Sequence, residues 1–310
     1  MKNKFFTQVL WLSLRCSNDF ASQKHPQFPK KGCFANAKAM VVNMYYAQNK
    51  LGMSVLSSHP EQMPIEEQIV LFADTGFDSV FLSCGVTKEF EKIPFWAKTA
   101  RQHDVVLEAV HNPISNVDSV WLGQEGAERY EENTKKILDF CSQGEVSKLV
   151  IHVGRSADVE VSETGLAFWR KLELYAKPRG VQLCYENSGT PALFAAVVEN
   201  ADAFHGVCHD VGHQLCCTPE IHYEKLYGDR ILYTHLHDNF GANKDLHLLP
   251  QDGMVDWSMY FHALKNANYR GTLNLELSCL HSATYREMPF AEFVKLAHTR
   301  IRTLRGLMDE

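Results

Sequence analysis

From Lys50 onward, short apolar runs rich in β-branched and aromatic residues alternate with amphipathic stretches at helical spacing, and this alternation constrains the fold more than any other feature of the chain. Repeated βα units produce such a rhythm, because parallel strands need a crossover and the crossing helix must bury one face on the sheet. Eight runs can be drawn, at 53–56, 79–82, 105–110, 149–152, 181–185, 205–208, 231–234 and 272–275. Helix signals fall between them. Pro64 precedes Ile65, Ile69 and Phe72 on one face, and Gly76 supplies a left-handed stop. Thr190-Pro191 and Thr218-Pro219 both read as cap-then-proline helix starts. Asp256 is placed to cap a helix whose apolar face is Trp257, Tyr260, Phe261 and Leu264.

An open doubly wound sheet would alternate in the same way, so the polar residues decide. Most strands from the third onward end in His, Asp or Glu. In a closed barrel those ends converge on one mouth, whereas in an open sheet they spread along an edge. The chain is therefore expected to be an α/β protein with a single-domain (β/α)8 TIM barrel over residues 49–310, and 310 residues suit one such domain.

Residues 1–48 carry no βα unit and read as an N-terminal extension of unknown role. Lys2 and Lys4 precede the apolar stretch Phe5 to Leu14 in the layout of a signal segment. Thr7, Gln8 and Ser13 interrupt that stretch, Arg15 follows it, and no A-x-A cleavage site stands before Lys24. The nine cysteines are scattered, several inside apolar runs (Cys84, Cys184, Cys208), with no CxxC pair, which suits a reducing cytoplasm.

Taken in order, the polar residues of the presumed mouth are His111, His152, Glu186, Asp210, His213, His235, Asp245, His247 and Glu276, all read as lying at strand ends. A lone histidine at such a place is usually a hydrogen-bonded core or rim residue, and a lone D-x-x-H pair carries little information. His205, His209 and His237 sit close enough to compete for any assignment, whereas His262, His281 and His298 read as surface or structural. Nine in succession are harder to dismiss. Four carboxylates and five imidazoles in one mouth would repel or stay unpaired without a cation, and a divalent metal is the natural partner.

At this point the sequence resembles the xylose-isomerase-like barrels, a family that holds sugar isomerases and epimerases and also endonuclease IV. The resemblance covers about residues 50–310 and rests on Tyr185-Glu-Asn-Ser-Gly189, Asp210-Val-Gly-His213, His235-Leu-His-Asp238, Asp245-Leu-His-Leu-Leu-Pro250 and Gly253-Met-Val-Asp-Trp257. It implies that Glu186, Asp210, His235 and Glu276 bind the metal, with His213 a further ligand or substrate contact. Manganese comes first among the ions such a set would take, with magnesium, cobalt and zinc as alternatives. In the similar epimerases the two glutamates, here Glu186 and Glu276, also act as base and acid on opposite faces of a sugar. His111, His152, Asp245 and His247 would then bind substrate hydroxyls or phosphate, or further metal.

The expected function is thus a metal-dependent isomerase or epimerase of a sugar, sugar phosphate or polyol, moving a proton next to a carbonyl. Endonuclease IV is the rival, because all nine positions that bind its three zinc ions find a matching residue here. A net charge of -6 and a pI of about 6.2 oppose it, and no cluster of Lys, Arg and aromatic residues suited to gripping a duplex is evident, so nucleic acid is not the expected partner. A dehydratase or lyase on a polyol or keto acid would use the same groups. The ketose 3-epimerase subgroup carries an arginine six residues after its metal histidine, where this chain has Gly241, and Gln251 stands where the sugar enzymes have glycine. The expected partner is a small sugar or polyol and not a membrane, and a homo-oligomer is left open.

Overall fold

In a computed structural model that describes residues 49–83, 89–242 and 244–308, eight strands form one parallel sheet in the order β7-β6-β5-β4-β3-β2-β1-β8. The strands are β1 (Leu51–Val55), β2 (Ser79–Leu82), β3 (Val106–His111), β4 (Lys148–His152), β5 (Gln182–Glu186), β6 (Gly206–Asp210), β7 (Ile231–His235) and β8 (Leu273–Leu275). The ends of this list meet. Just beyond β7, Leu236 N–H donates to Asn274 O at 2.8 Å, and Glu276 N–H donates to Leu236 O at 3.1 Å. At the same seam the Thr234 hydroxyl donates to Thr272 O at 3.0 Å and accepts from Asn274 N–H at 3.3 Å, so a side chain takes part in the ladder. The fold is therefore the expected TIM barrel. The extension 1–48 and Cys84 lie outside the described residues. Among the described residues no helix is long and apolar enough to cross a membrane.

All eight strands coincide with the runs drawn from sequence to within a few residues. Strands covered on both faces carry near-continuous apolar sequence, and their burial here bears this out. Helix α1 (Ile65–Thr75) ends at Gly76 with φ 105°, and Asp256 caps the helix Trp257–Asn266 by accepting from Met259 N–H. One predicted start is wrong: Thr218 terminates the helix Val211–Cys217 instead of opening one. That helix begins earlier because the Asp210 carboxylate accepts from His213 N–H at 2.6 Å, and Pro219, lacking an N–H, cannot extend it. Thr190 does stand at the start of Pro191–Asn200, but its hydroxyl bonds Ser188 Oγ at 3.3 Å and makes no cap.

Inside the barrel, Phe81, Ala109, Val150, Cys184, Cys208 and Tyr233 pack into one buried layer. Successive strand side chains alternate between faces, so the residue two positions further along each strand stands directly above its predecessor. Above Ala109, Val150, Cys184, Cys208 and Tyr233 come His111, His152, Glu186, Asp210 and His235. The apolar layer is the floor of the site.

Candidate metal centre in the barrel mouth

Parallel pairing sets His152 beside Glu186 and Asp210 beside His235, which brings carboxylates and imidazoles from adjacent strands face to face. Glu186 is fully buried and joins two groups. Its Oε2 lies 2.9 Å from His111 Nε2 and 2.9 Å from His152 Nε2, while Oε1 lies 2.7 Å from His235 Nδ1. Three carboxylates converge on His235 Nδ1, since Glu276 Oε2 stands 3.0 Å away and Asp210 Oδ2 3.9 Å away. One N–H satisfies one acceptor, so this imidazole alone cannot pair with all three carboxylates. The opposite ring nitrogen, His235 Nε2, is buried with no hydrogen-bond partner.

All nine residues singled out from the sequence reach the mouth, and among the overlapping groups in which one donor atom of each member lies within 4.8 Å of the others, three together hold all nine, with His237 added. These are His111, His152 and Glu186; Glu186, Asp210, His235 and Glu276; and His213, His237, Asp245 and His247. Such sets of carboxylate and imidazole fit divalent cations. The middle group is the four-residue set that the sequence resemblance implied.

Two placements differ from the sequence expectation. His213 stands in the first turn of the helix Val211–Cys217, and Asp245 and His247 lie on the loop after β7, none of them at a strand end. The loop folds back because Asp238 and Leu248 form an antiparallel bridge, with N–H···O distances of 2.8 and 3.0 Å. His247 takes φ 50°, its Nδ1 lies 3.0 Å from Glu276 O, and its Nε2 lies 2.9 Å from Asp245 Oδ2.

Of the histidines that compete for assignment in the sequence, His237 joins the mouth. It is fully buried, with Nε2 3.0 Å from an Asp210 oxygen, and its ring stacks on that of His247 with centroids 4.0 Å apart. Gly212 makes room, because a Cβ there would fall 2.0 Å from the His237 ring. The signal was the H-x-H spacing of His235 and His237, which returns a side chain to the same face of an extended chain. His205 and His209 take the alternate positions and point away from the mouth. His205 Nδ1 accepts from Leu183 N–H at 2.9 Å, and burial lowers its pKa to about 4.

Burial opposes charge on His213 and His235, yet both are raised well above the ordinary imidazole value. Asp210, Asp245 and Glu186 outweigh burial at His213, and the Cys208 sulfur, Glu276 and Glu186 do so at His235. Burial likewise opposes charge on His247, but Asp245 raises it to about 9. A metal-binding imidazole must be neutral, so an entering cation has to displace these protons. Metal affinity is therefore expected to rise with pH between 6 and 9, by about tenfold per pH unit for each proton displaced. Competition against a chromophoric chelator at several pH values measures this, and a flat profile would remove the histidines from the ligand set.

The comparisons with known proteins agree with this architecture. Residues 69–292 match the family model described as xylose isomerase-like TIM barrel. A relative from Sinorhizobium fredii (strain NBRC 101917 / NGR234), named uncharacterized protein y4fM, is 33% identical over 236 residues, covering 69% of this chain and 70% of that protein. A xylose isomerase-like TIM barrel/4-hydroxyphenylpyruvate dioxygenase fusion protein superposes with a TM-score of 0.67 at 16% identity over 83% of this chain, which spans 43% of the fusion's length. A D-tagatose 3-epimerase-like protein superposes with a TM-score of 0.63 at 20% identity, over 81% of this chain and 99% of its own. The chain belongs to the xylose isomerase-like TIM barrel family.

Proposed function

We propose that this protein is a metal-dependent isomerase or epimerase of a small polyhydroxylated carbonyl compound, a sugar, sugar phosphate or polyol ketone. The observation that carries the reading is the convergence of Glu186, Asp210, His235 and Glu276 on one point of the mouth. The structural likeness to a D-tagatose 3-epimerase-like protein supports it at the level of fold. In this reading the four residues would hold a divalent ion, manganese first, which when bound would supply Lewis-acid polarisation of a carbonyl and its neighbouring hydroxyl and so acidify the adjacent C–H. Glu186 and Glu276 remove and return that proton. His152 and His247, both partly open to the mouth, and His213 and Asp245 bind substrate hydroxyls or phosphate. The apolar floor beneath excludes water from below.

A second reading has its own observation. The groups around His111 and His152 and around His213, Asp245 and His247 each offer donor atoms for a further cation, and Glu186 belongs to the first of them as well as to the central group. A multi-metal phosphodiesterase would use such an array directly. The two readings part on one experiment. A sugar enzyme is expected to place deuterium next to the carbonyl of its ketose or aldose in deuterated water, to leave abasic DNA intact, and to carry one ion per chain. Cleavage of abasic DNA that falls steeply with salt, with three ions per chain and no exchange across a panel of sugars and their phosphates, would reverse the proposal.

A further inference from the structure

Two cysteines adjacent in the chain close the helix Val211–Cys217, at the end opposite to the turn that carries His213. The sulfurs of Cys216 and Cys217 lie 2.9 Å apart, and both are free thiols. Among the described residues neither belongs to a group suited to a metal ion. Cys216 is 3% exposed, whereas Cys217 is partly open to solvent. Helical backbone stops at the next residue, Thr218, with φ -145° and ψ 54°, so the pair occupies a last turn that can adjust. The other described cysteines, Cys141, Cys184, Cys208 and Cys279, are wholly buried.

Disulfide exchange needs a thiolate that a reagent can reach and a second thiol close enough to resolve the mixed disulfide. Cys217 meets the first need. It is the accessible member of the pair, and the hydrogen bond from the Cys216 thiol lowers its pKa to about 7. Cys216 meets the second, because it touches the Cys217 sulfur while its own burial keeps a bulky reagent away. The ring that the two would close is strained, since adjacent Cα atoms are about 3.8 Å apart and disulfides usually need at least ~4.4 Å. A strained disulfide is readily reduced, so the closure reverses.

We propose that Cys216 and Cys217 form a reversible dithiol–disulfide site whose co-substrate is a small-molecule disulfide. The Cys217 thiolate attacks one sulfur of that disulfide, and the thiolate released takes a proton from water. Cys216 then attacks the Cys217 sulfur, and the second leaving thiol carries away the Cys216 proton. Two protein thiols are oxidised to one disulfide while one small-molecule disulfide is reduced to two thiols. The site is separate from the nine mouth residues and does not depend on the reaction performed there.

The test uses oxidised glutathione as probe on the full-length protein. Remaining thiols are blocked with N-ethylmaleimide and the chain is cut before aspartate, which releases residues 210–228 with Cys216 and Cys217 as their only cysteines. This segment is expected to be lighter by two hydrogens and to take up no maleimide, and to take up two after treatment with reduced glutathione. In Cys216→Ser the reaction should stop at a mixed disulfide between Cys217 and glutathione. In Cys217→Ser the segment should react at least about tenfold more slowly, because the accessible thiolate is gone. Two maleimides on the parent segment after prolonged oxidation, glutathione retained on it, failure of reduced glutathione to restore the thiols, or an unchanged rate in Cys217→Ser would overturn the assignment.

Discussion

Glu186→Ala is expected to abolish turnover and to strip the protein of bound metal while leaving the barrel folded. Activity should fall by on the order of 10³-fold or more, because under the proposed function the substitution removes a ligand of the central group together with one of the two carboxylates assigned to proton transfer. The fold should survive, because Glu186 stands above the apolar layer at the end of β5 and the strand ladder does not use its side chain. Its loss leaves His111 and His152 without their carboxylate acceptor, and burial already holds the His152 pKa below the ordinary imidazole value. Far-UV circular dichroism and melting of metal-free protein, read beside activity and metal content, check this. Glu276→Ala should behave alike in activity and bind metal more weakly, because it removes another of the four residues of the central group. Unfolding of both variants would return the two glutamates to a structural role.

The largest expected loss of stability lies at a residue without a place in the chemistry. Asp238 is fully buried, and its two oxygens accept four hydrogen bonds. Oδ1 takes the N–H groups of Asn239 and Val255, each at 3.0 Å, and Oδ2 takes Gln251 N–H at 2.8 Å and the Trp257 indole N–H at 2.9 Å. One carboxylate thus fixes both ends of the loop that carries Asp245 and His247. Asp238→Ala leaves buried donors unsatisfied and should cost about 3–5 kcal/mol. That corresponds to a fall in Tm on the order of 10 °C for a domain of this size. Asp238→Asn should also lose stability, since its NH2 group would face N–H donors. Thermal unfolding of metal-free protein measures both effects, and a Tm for Asp238→Ala within about 2 °C of the parent would disprove the role assigned to this carboxylate.

The strands were readable because most of their residues are buried and therefore apolar, and the mouth was readable because period-2 alternation carried His111, His152, Glu186, Asp210 and His235 to one level. What sequence left out depends on the chain after β7. The loop holding Asp245 and His247 is positioned by the Asp238 bonds and by backbone at positive φ in His247 and Gln251, long-range consequences that spacing does not encode. His237 followed from the same alternation but was hidden among neighbouring histidines. The misplaced start at Thr218 has a simpler cause: two capping signals eight residues apart, Asp210 and Thr218, compete for one helix, and the aspartate closes the first turn before the threonine is reached.

The seam between β7 and β8 couples the reaction to the mechanics of the ring. His235 and Glu276 stand on opposite sides of the place where the first and last parts of the sheet order meet, within one residue of the backbone bonds between Leu236, Asn274 and Glu276. Any breathing motion that parts these strands also parts two of the four residues in the central group, so a hoop that loosens there loses its active arrangement at once.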